Sequence, residues 1–159
     1  MDLILWRHAE AEPVSETMTD EFRKLTGKGL RQANKMAYWL DSTLPDTCRI
    51  LVSPTIRTRD TAEALGVRGR KIKIMPELSP EATAIDILRA ANWPNSREPV
   101  LIVGHQPYLG QVVGELLDQP LQEHSVRKAN VWWISQKQRD SENLMTYLKA
   151  IMSPDLVVK

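Results

Sequence analysis

Short apolar runs alternate with helical patterns along this chain of 159 residues. Residues 3–6, 49–53 and 100–103 are rich in Leu, Ile and Val, and the latter two runs are followed directly by helical patterns. Strands buried on both faces of a parallel sheet are apolar throughout, and alternation of strand and helix is typical of parallel α/β domains. We therefore predict a single α/β domain over residues 1–159, a three-layer sandwich with a mainly parallel central sheet and helices on both faces.

Apolar residues at helical spacing and local capping signals place the helices. The predicted helices cover residues 26–44, 54–65, 82–92 and 108–117. Thr26 is a suitable N-cap for the first of them, and Gly29 at its start indicates a close backbone approach. Residues 130–135 and 144–152 are predicted to form a late antiparallel pair of strands, and the polar residues 9–24 an irregular loop.

Net charge and cysteine content limit the cell compartment and the binding partners that we expect. The formal net charge of +1 favours neither nucleic acid nor an anionic membrane as a partner. Cys48 is the single cysteine, so a disulfide within the chain is excluded. Residues 1–7 have neither a basic leader region nor a long apolar stretch. We expect a cytoplasmic protein that does not bind a membrane.

Polar residues follow three of the predicted strands. Arg7 and His8 end the first, Ser53 ends the second with Arg57 one helical turn further on, and His105 follows the third. In parallel α/β sheets the ligand crevice lies at the carboxyl ends of the strands. Two guanidiniums and two imidazoles, without a carboxylate, predict a site for a multiply charged oxyanion such as phosphate or sulfate.

Such a site supports phosphoryl transfer. A neutral imidazole attacks phosphorus to form a phosphohistidine, and the arginines stabilise the charge on the phosphoryl oxygens. The residues alone leave open whether His8 or His105 is the nucleophile. No cluster of Asp, Glu and His stands at metal-ligand spacing, and this chemistry needs neither a metal nor another cofactor.

Four segments resemble the signature motifs of the histidine phosphatase superfamily, whose members share a phosphoglycerate mutase-like fold. In order they are residues 5–11 (LWRHAEA), 25–33 (LTGKGLRQA), 53–61 (SPTIRTRDT) and 103–107 (VGHQP). Residues 76–80 and 152–154 resemble the SixA branch of small phosphohistidine phosphatases. One departure is Ala9, where most of the superfamily has Gly.

The resemblance implies roles for the strand-end residues. His8 is the implied phosphoryl acceptor, and Arg7, Arg57 and His105 complete the phosphate pocket. Ser53 precedes the helix that carries Arg57 and is expected to orient it.

The resemblance also implies roles for residues outside the strand ends. Thr26 and Gly29 are expected to support the pocket. Glu77 resembles the position of the general acid in other branches, and the alternative is a surface carboxylate on a Pro-flanked turn.

The short stretch between Arg57 and His105 bears on the substrate. It holds one short strand and one helix, which leaves no lid, so we expect an open pocket. An open pocket favours a phosphohistidine on a phosphocarrier or phosphotransfer domain. A phosphatase for a small phosphorylated metabolite is the alternative, and a non-catalytic phosphate-binding module is a third hypothesis.

Overall fold

The fold is that of a computed structural model, which describes residues 1–119 and 124–158. The strands are β1 (Asp2–Arg7), β2 (Arg49–Val52), β3 (Ile72–Ile74), β4 (Val100–Gly104), β5 (Val131–Gln138) and β6 (Leu144–Met152). The helices are α1 (Gly27–Thr43), α2 (Ile56–Gly66), α3 (Ala84–Ala90) and α4 (Tyr108–Leu116). Single 3₁₀ turns lie at Asp20–Phe22, Pro76–Leu78 and Pro154–Leu156.

The six strands form one mixed sheet in the order β3-β2-β4-β1-β5-β6. The four strands from β3 to β1 are parallel, whereas β5 pairs antiparallel with both β1 and β6. The predicted mainly parallel sheet and its late antiparallel pair of strands are thus confirmed. The three strands that end in the predicted site residues are neighbours, with β4 between β2 and β1.

Helices cover both faces of the sheet, as predicted. Ile4 and Trp6 of β1 pack in a core with α1 and α2, whereas Leu3 and Leu5 pack in a second core with α3 and α4. This division follows from the two-residue period of a strand, which sends successive side chains to opposite faces. All four of these residues are fully buried.

Two helix predictions need correction. The second helix begins at Ile56 rather than at Pro54, because the Thr55 hydroxyl accepts a hydrogen bond from the Thr58 amide and makes Thr55 the N-cap. The helical spacing of Leu30 with Ala33, Ala37 and Leu40 predicts that Leu30 faces the core, but Leu30 is 48% exposed. Its neighbour Gly29 packs against backbone instead, and the turn of about 100° per residue carries Leu30 away from the core.

Candidate active site

The carboxyl ends of β1, β2 and β4 bring the predicted site residues together. The His8 amide donates to the Gly104 carbonyl at 3.1 Å, and the Ser53 amide donates to the Val103 carbonyl at 3.1 Å. The rings of His8 and His105 lie 5.4 Å apart, centroid to centroid, and both are buried. The parallel register of three adjacent strands therefore places both imidazoles in one pocket.

The tautomer of His8 follows from one hydrogen bond. Its Nδ1 lies 2.8 Å from the backbone carbonyl of Ala9. A carbonyl oxygen only accepts, so Nδ1 carries the proton and donates it. In the neutral ring the lone pair is then on Nε2, the atom that is able to attack phosphorus.

His105 is held by Ser53 instead. The Ser53 hydroxyl lies 2.7 Å from Nε2 of His105, and Tyr108 packs edge-on against the same ring. The Ser53 hydroxyl therefore contacts His105 and not the helix that carries Arg57. The backbone carbonyl of Ser53 makes the contact with the helix, accepting from Thr58 at 2.7 Å.

The two arginines are anchored from opposite sides. Nη1 of Arg7 donates to the Val126 carbonyl at 3.1 Å, and both Nη atoms of Arg57 donate to Asp20. Among the described residues, Nε of Arg7, Nε of Arg57 and Nδ1 of His105 are buried without a hydrogen-bond partner. Three polar atoms of the pocket are thus available to a bound oxyanion.

Asp20 contradicts the expectation of a site without a carboxylate. Its side chain bridges Arg57, at 3.0 Å, and Arg23, at 2.9 Å. The two partners lower the pKa of the Asp20 carboxyl against the opposing effect of its burial. The sequence does not predict this role of Asp20, because Asp20 lies in a segment with no regular pattern. The one sequence feature that indicates it is an acidic residue three places before Arg23, in the loop that follows His8.

The expected open pocket also needs correction. Between α2 and β4 the chain adds only β3, a 3₁₀ turn and α3. The turn Asp20–Phe22 from the preceding loop nevertheless lies over Arg57, which is 4% exposed. The cover comes from residues 9–24, because their backbone reaches across the strand ends to bind the guanidinium.

Burial and positive neighbours keep both imidazoles neutral. Desolvation lowers the pKa of His8 to about 3, and the charges of Arg57 and Arg7 add to the effect against the opposing bond to Ala9. Desolvation likewise lowers the pKa of His105 to about 2, with further contributions from His8 and the two arginines. Both imidazoles are therefore neutral at neutral pH, and the neutral form is the nucleophilic one.

These two pKa values predict a loss of stability in mild acid. The unfolded chain protonates its histidines near pH 6.5, whereas the folded chain does so only near pH 3, so the unfolded state binds more protons between these values. The free energy of unfolding therefore has its full value above pH 6.5 and falls as the pH drops below 6.5. From pH 7.0 to 5.5 we expect the free energy of unfolding to fall by about 2 kcal/mol.

Urea unfolding at both pH values measures this loss, and the variant His105→Gln should show about half of it. The carboxyls with lowered pKa contribute only below this window, since their ordinary values lie near pH 4. Equal unfolding free energies at pH 7.0 and 5.5 would contradict the neutral, buried imidazoles.

The remaining predicted residues lie around the pocket. The Thr26 hydroxyl accepts from the Gly29 amide at 3.0 Å, which makes it the predicted N-cap, and donates to the Glu10 carboxylate. Glu77 is exposed on the turn Pro76–Leu78, whose last carbonyl accepts from the Tyr108 hydroxyl. That turn is therefore tied to the pocket through Tyr108, but Glu77 itself is not brought into contact with either imidazole.

Metal-binding clusters and membrane-spanning helices are both absent from the described ranges 1–119 and 124–158. In these residues no group of three or more His, Cys, Asp or Glu side chains is placed to hold a metal ion. None of their helices has the length and apolar character that crossing a bilayer requires.

Comparison with known proteins gives the family. Residues 3–80 match the model of the histidine phosphatase superfamily, branch 1. A relative from Haemophilus influenzae, named phosphohistidine phosphatase SixA homolog, is 31% identical over 91% of this chain and 94% of its own length. The chain belongs to the histidine phosphatase superfamily. Three of the four motif segments, residues 5–11, 25–33 and 53–61, lie within the matched range, and residues 103–107 lie beyond it.

Two further relatives within the superfamily agree. Phosphohistidine phosphatase SixA of Escherichia coli is 29% identical over 73% of this chain and 74% of its own length. A solved structure of the protein histidine phosphatase SixA complexed with tungstate covers 98% of both chains at a TM-score of 0.74 and 25% identity. The fold and the class of hydrolase are those of the superfamily.

Proposed function

We propose that this chain is a metal-independent protein phosphohistidine phosphatase that acts through a phospho-His8 intermediate. The observation that carries the proposal is the bond from Nδ1 of His8 to the Ala9 carbonyl, which leaves the Nε2 lone pair free among cationic side chains. The names of the relatives from Haemophilus influenzae and Escherichia coli support the same substrate class.

The reaction proceeds in two displacements. Nε2 of His8 forms a bond to phosphorus as the phosphorus–nitrogen bond to the substrate histidine breaks. The other ring nitrogen of that histidine already carries a proton, so the imidazole leaves in its neutral form. Water then attacks phospho-His8, the Nε2–phosphorus bond breaks, and inorganic phosphate leaves with His8 neutral again. A covalent intermediate of this kind divides one difficult step into two easier ones.

The other pocket residues bind the phosphoryl oxygens. Arg7 and Arg57 supply charged donors whose Nε atoms are not engaged elsewhere among the described residues. With the Ser53 hydroxyl donating to Nε2 of His105, the proton of that neutral ring is on Nδ1 and points to an oxygen. The solved relative with tungstate, a tetrahedral oxyanion, supports this use of the pocket.

The proton for the leaving imidazole does not require a dedicated acid. A phosphohistidine protonated on its other ring nitrogen already has a good leaving group, unlike an alkyl phosphate ester. This difference agrees with the exposed position of Glu77. A phosphoramidate is therefore the substrate class that the site is able to cleave without a general acid. Glu77 as the general acid for other substrates stays a prediction.

The small-metabolite alternative draws on the cover over Arg57. Because the turn Asp20–Phe22 lies across that guanidinium, a small phosphate ester held beneath it is the second candidate substrate. Both candidates use the same nucleophile and differ in what carries the phosphate.

Steady-state kinetics on matched substrates tests the proposal. With EDTA present, we expect kcat/KM for a phosphohistidine phosphotransfer domain to exceed that for phosphoserine and sugar phosphates by about 10³-fold, or about 4 kcal/mol. A 32P label should appear on the enzyme during turnover and be acid-labile, as phosphohistidine is. Faster turnover of a sugar phosphate than of the phosphorylated domain would reject this substrate class, and loss of turnover with EDTA would reject metal independence.

A further inference from the structure

A groove outside the catalytic pocket concentrates positive charge. It has a volume of about 810 Å³ and shares Arg7 with the residues at the strand ends. Its cationic side chains are Arg7, Lys28, Arg31, Lys35, Arg127 and Lys128. Two acidic residues, Glu10 and Asp155, also line this basic groove, which leaves it with a net charge of +4 against +1 for the whole chain.

One wall of the basic groove is a stripe along α1. Lys28, Arg31 and Lys35 are spaced by three and four residues, so they lie on one face of the helix, and all three are exposed. Their span of seven residues is about 10 Å along the helix axis. In the part of the chain that the structure describes, none of them forms an ion pair.

The facing wall is a loop held against the nucleophile strand. The Ala129 amide donates to the carbonyls of both Arg7 and His8 at 3.1 Å, and the Ala129 carbonyl accepts from the Trp6 indole. These bonds hold Ala129 at a φ of +64°, a backbone conformation that residues other than glycine adopt only at a cost in free energy. Arg127 and Lys128, both exposed, directly precede Ala129 in this loop.

The wall formed by α1 is attached to the chain just after His8. The Glu10 amide donates to the Gln32 side chain at 3.1 Å, and the Thr26 amide donates to the Glu10 carbonyl at 3.0 Å. Both walls are thus fastened within two residues of His8. The positive charge of the groove has a fixed position relative to the phosphorus atom that His8 attacks.

We propose that the basic groove is the docking surface for an acidic face of the protein whose phosphohistidine this chain dephosphorylates. The proposal rests on the proposed function and names the surface chemistry of the partner. Asp and Glu side chains near the phosphohistidine meet the α1 stripe and the 127–128 loop, which steers the encounter and orients the phosphoryl group toward His8.

The form of the groove favours a protein over other anions. Its charged groups outside Arg7 are exposed side chains spread over two walls, which suits a broad surface better than one small ligand. The Ser153–Asp155 segment closes the groove and places a carboxylate there, so it offers no continuous basic track for a nucleic-acid backbone.

Charge reversal tests the docking surface. The groove variant carries Lys28→Glu, Arg31→Glu and Lys35→Glu, and the control carries Lys71→Glu, Lys73→Glu and Arg97→Glu. The three control residues are also exposed, and they lie on the edge strand β3 or just before β3 and β4, away from the carboxyl ends where His8 lies. Both variants change the net charge by the same amount.

The first substrate is a phosphorylated histidine phosphotransfer domain with at least three Asp or Glu residues around its phosphohistidine. The second is the same domain with those acids changed to Asn or Gln. The third is the free amino acid phosphohistidine. For the groove variant we expect kcat/KM on the acidic domain to fall at least about 10-fold, with a weaker dependence on ionic strength. Turnover of free phosphohistidine should stay within about 2-fold, and the control should match the unaltered protein. The neutralised domain should show little difference between groove variant and control.

Other outcomes overturn the proposal. An equal loss on free phosphohistidine would assign the groove residues to the chemistry, and full activity on the acidic domain would remove the docking role. Binding of a 20-base oligonucleotide that is lost in the groove variant, with domain turnover unchanged, would assign the groove to nucleic acid. No turnover of either phosphohistidine substrate by the unaltered protein would instead contradict the proposed function itself.

Discussion

His8→Ala is expected to lower phosphate release from a phosphohistidine phosphotransfer domain by about 10⁴-fold or more, because it removes the atom that forms the covalent intermediate. Binding of inorganic phosphate should stay within about 10-fold, since Arg7, Arg57 and His105 remain. Stopped assays for phosphate release and calorimetric titration with phosphate measure the two quantities. The radioactive label on the enzyme should disappear in the same variant.

The chain offers a matched control for this variant. His124→Ala removes the one histidine outside the pocket, whose Nε2 contacts Gln119, and should keep the rate of the unaltered protein. Substantial phosphate release by His8→Ala would show that His105 or water attacks phosphorus directly. Loss of phosphate binding together with turnover would instead show that His8 holds the pocket in shape.

Gly29→Ala should destabilise the protein by about 3 kcal/mol, although alanine favours helix by about 1 kcal/mol. A Cβ at this position would lie 2.0 Å from the Glu10 carbonyl oxygen and 3.0 Å from its carbon, both backbone atoms that cannot turn aside. Separation of α1 from Glu10 relieves the clash and displaces the segment that follows His8. We therefore expect lower phosphatase activity together with a thermal midpoint lower by about 10 °C.

Gly27→Ala is the matched control two residues earlier in the same helix. Its Cβ would meet only the flexible side chain of Arg31, at 3.6 Å, so stability should be unchanged or slightly raised. Thermal unfolding of the two variants compares them directly. Equal midpoints would show that the approach of α1 to Glu10 has no energetic consequence.

The strand-end residues were predictable because regular structure carries them. Apolar runs bounded by Arg7-His8, Ser53 and His105 indicate parallel strands, and parallel strands place their carboxyl ends at one edge of the sheet. Asp20 was not predictable in this way. It lies in the irregular segment between β1 and α1, and only the folded path of that segment brings it to Arg57.

The basic groove shows the same division within one surface. The sequence predicts that Lys28, Arg31 and Lys35 lie on one helical face. It does not predict that Arg127 and Lys128 line the same groove. About 90 residues of chain separate the two walls, and the return of the late strands beside β1 joins them.

The sequence by itself determined the fold class, the strand ends and the four residues of the oxyanion pocket, because periodicity and local turn chemistry act over short stretches of chain. The tertiary structure alone decided the tautomer of His8, because the bond from its Nδ1 to the Ala9 carbonyl leaves the lone pair of the neutral ring on Nε2. It also decided the neutral state of both rings, since desolvation depends on everything packed around them.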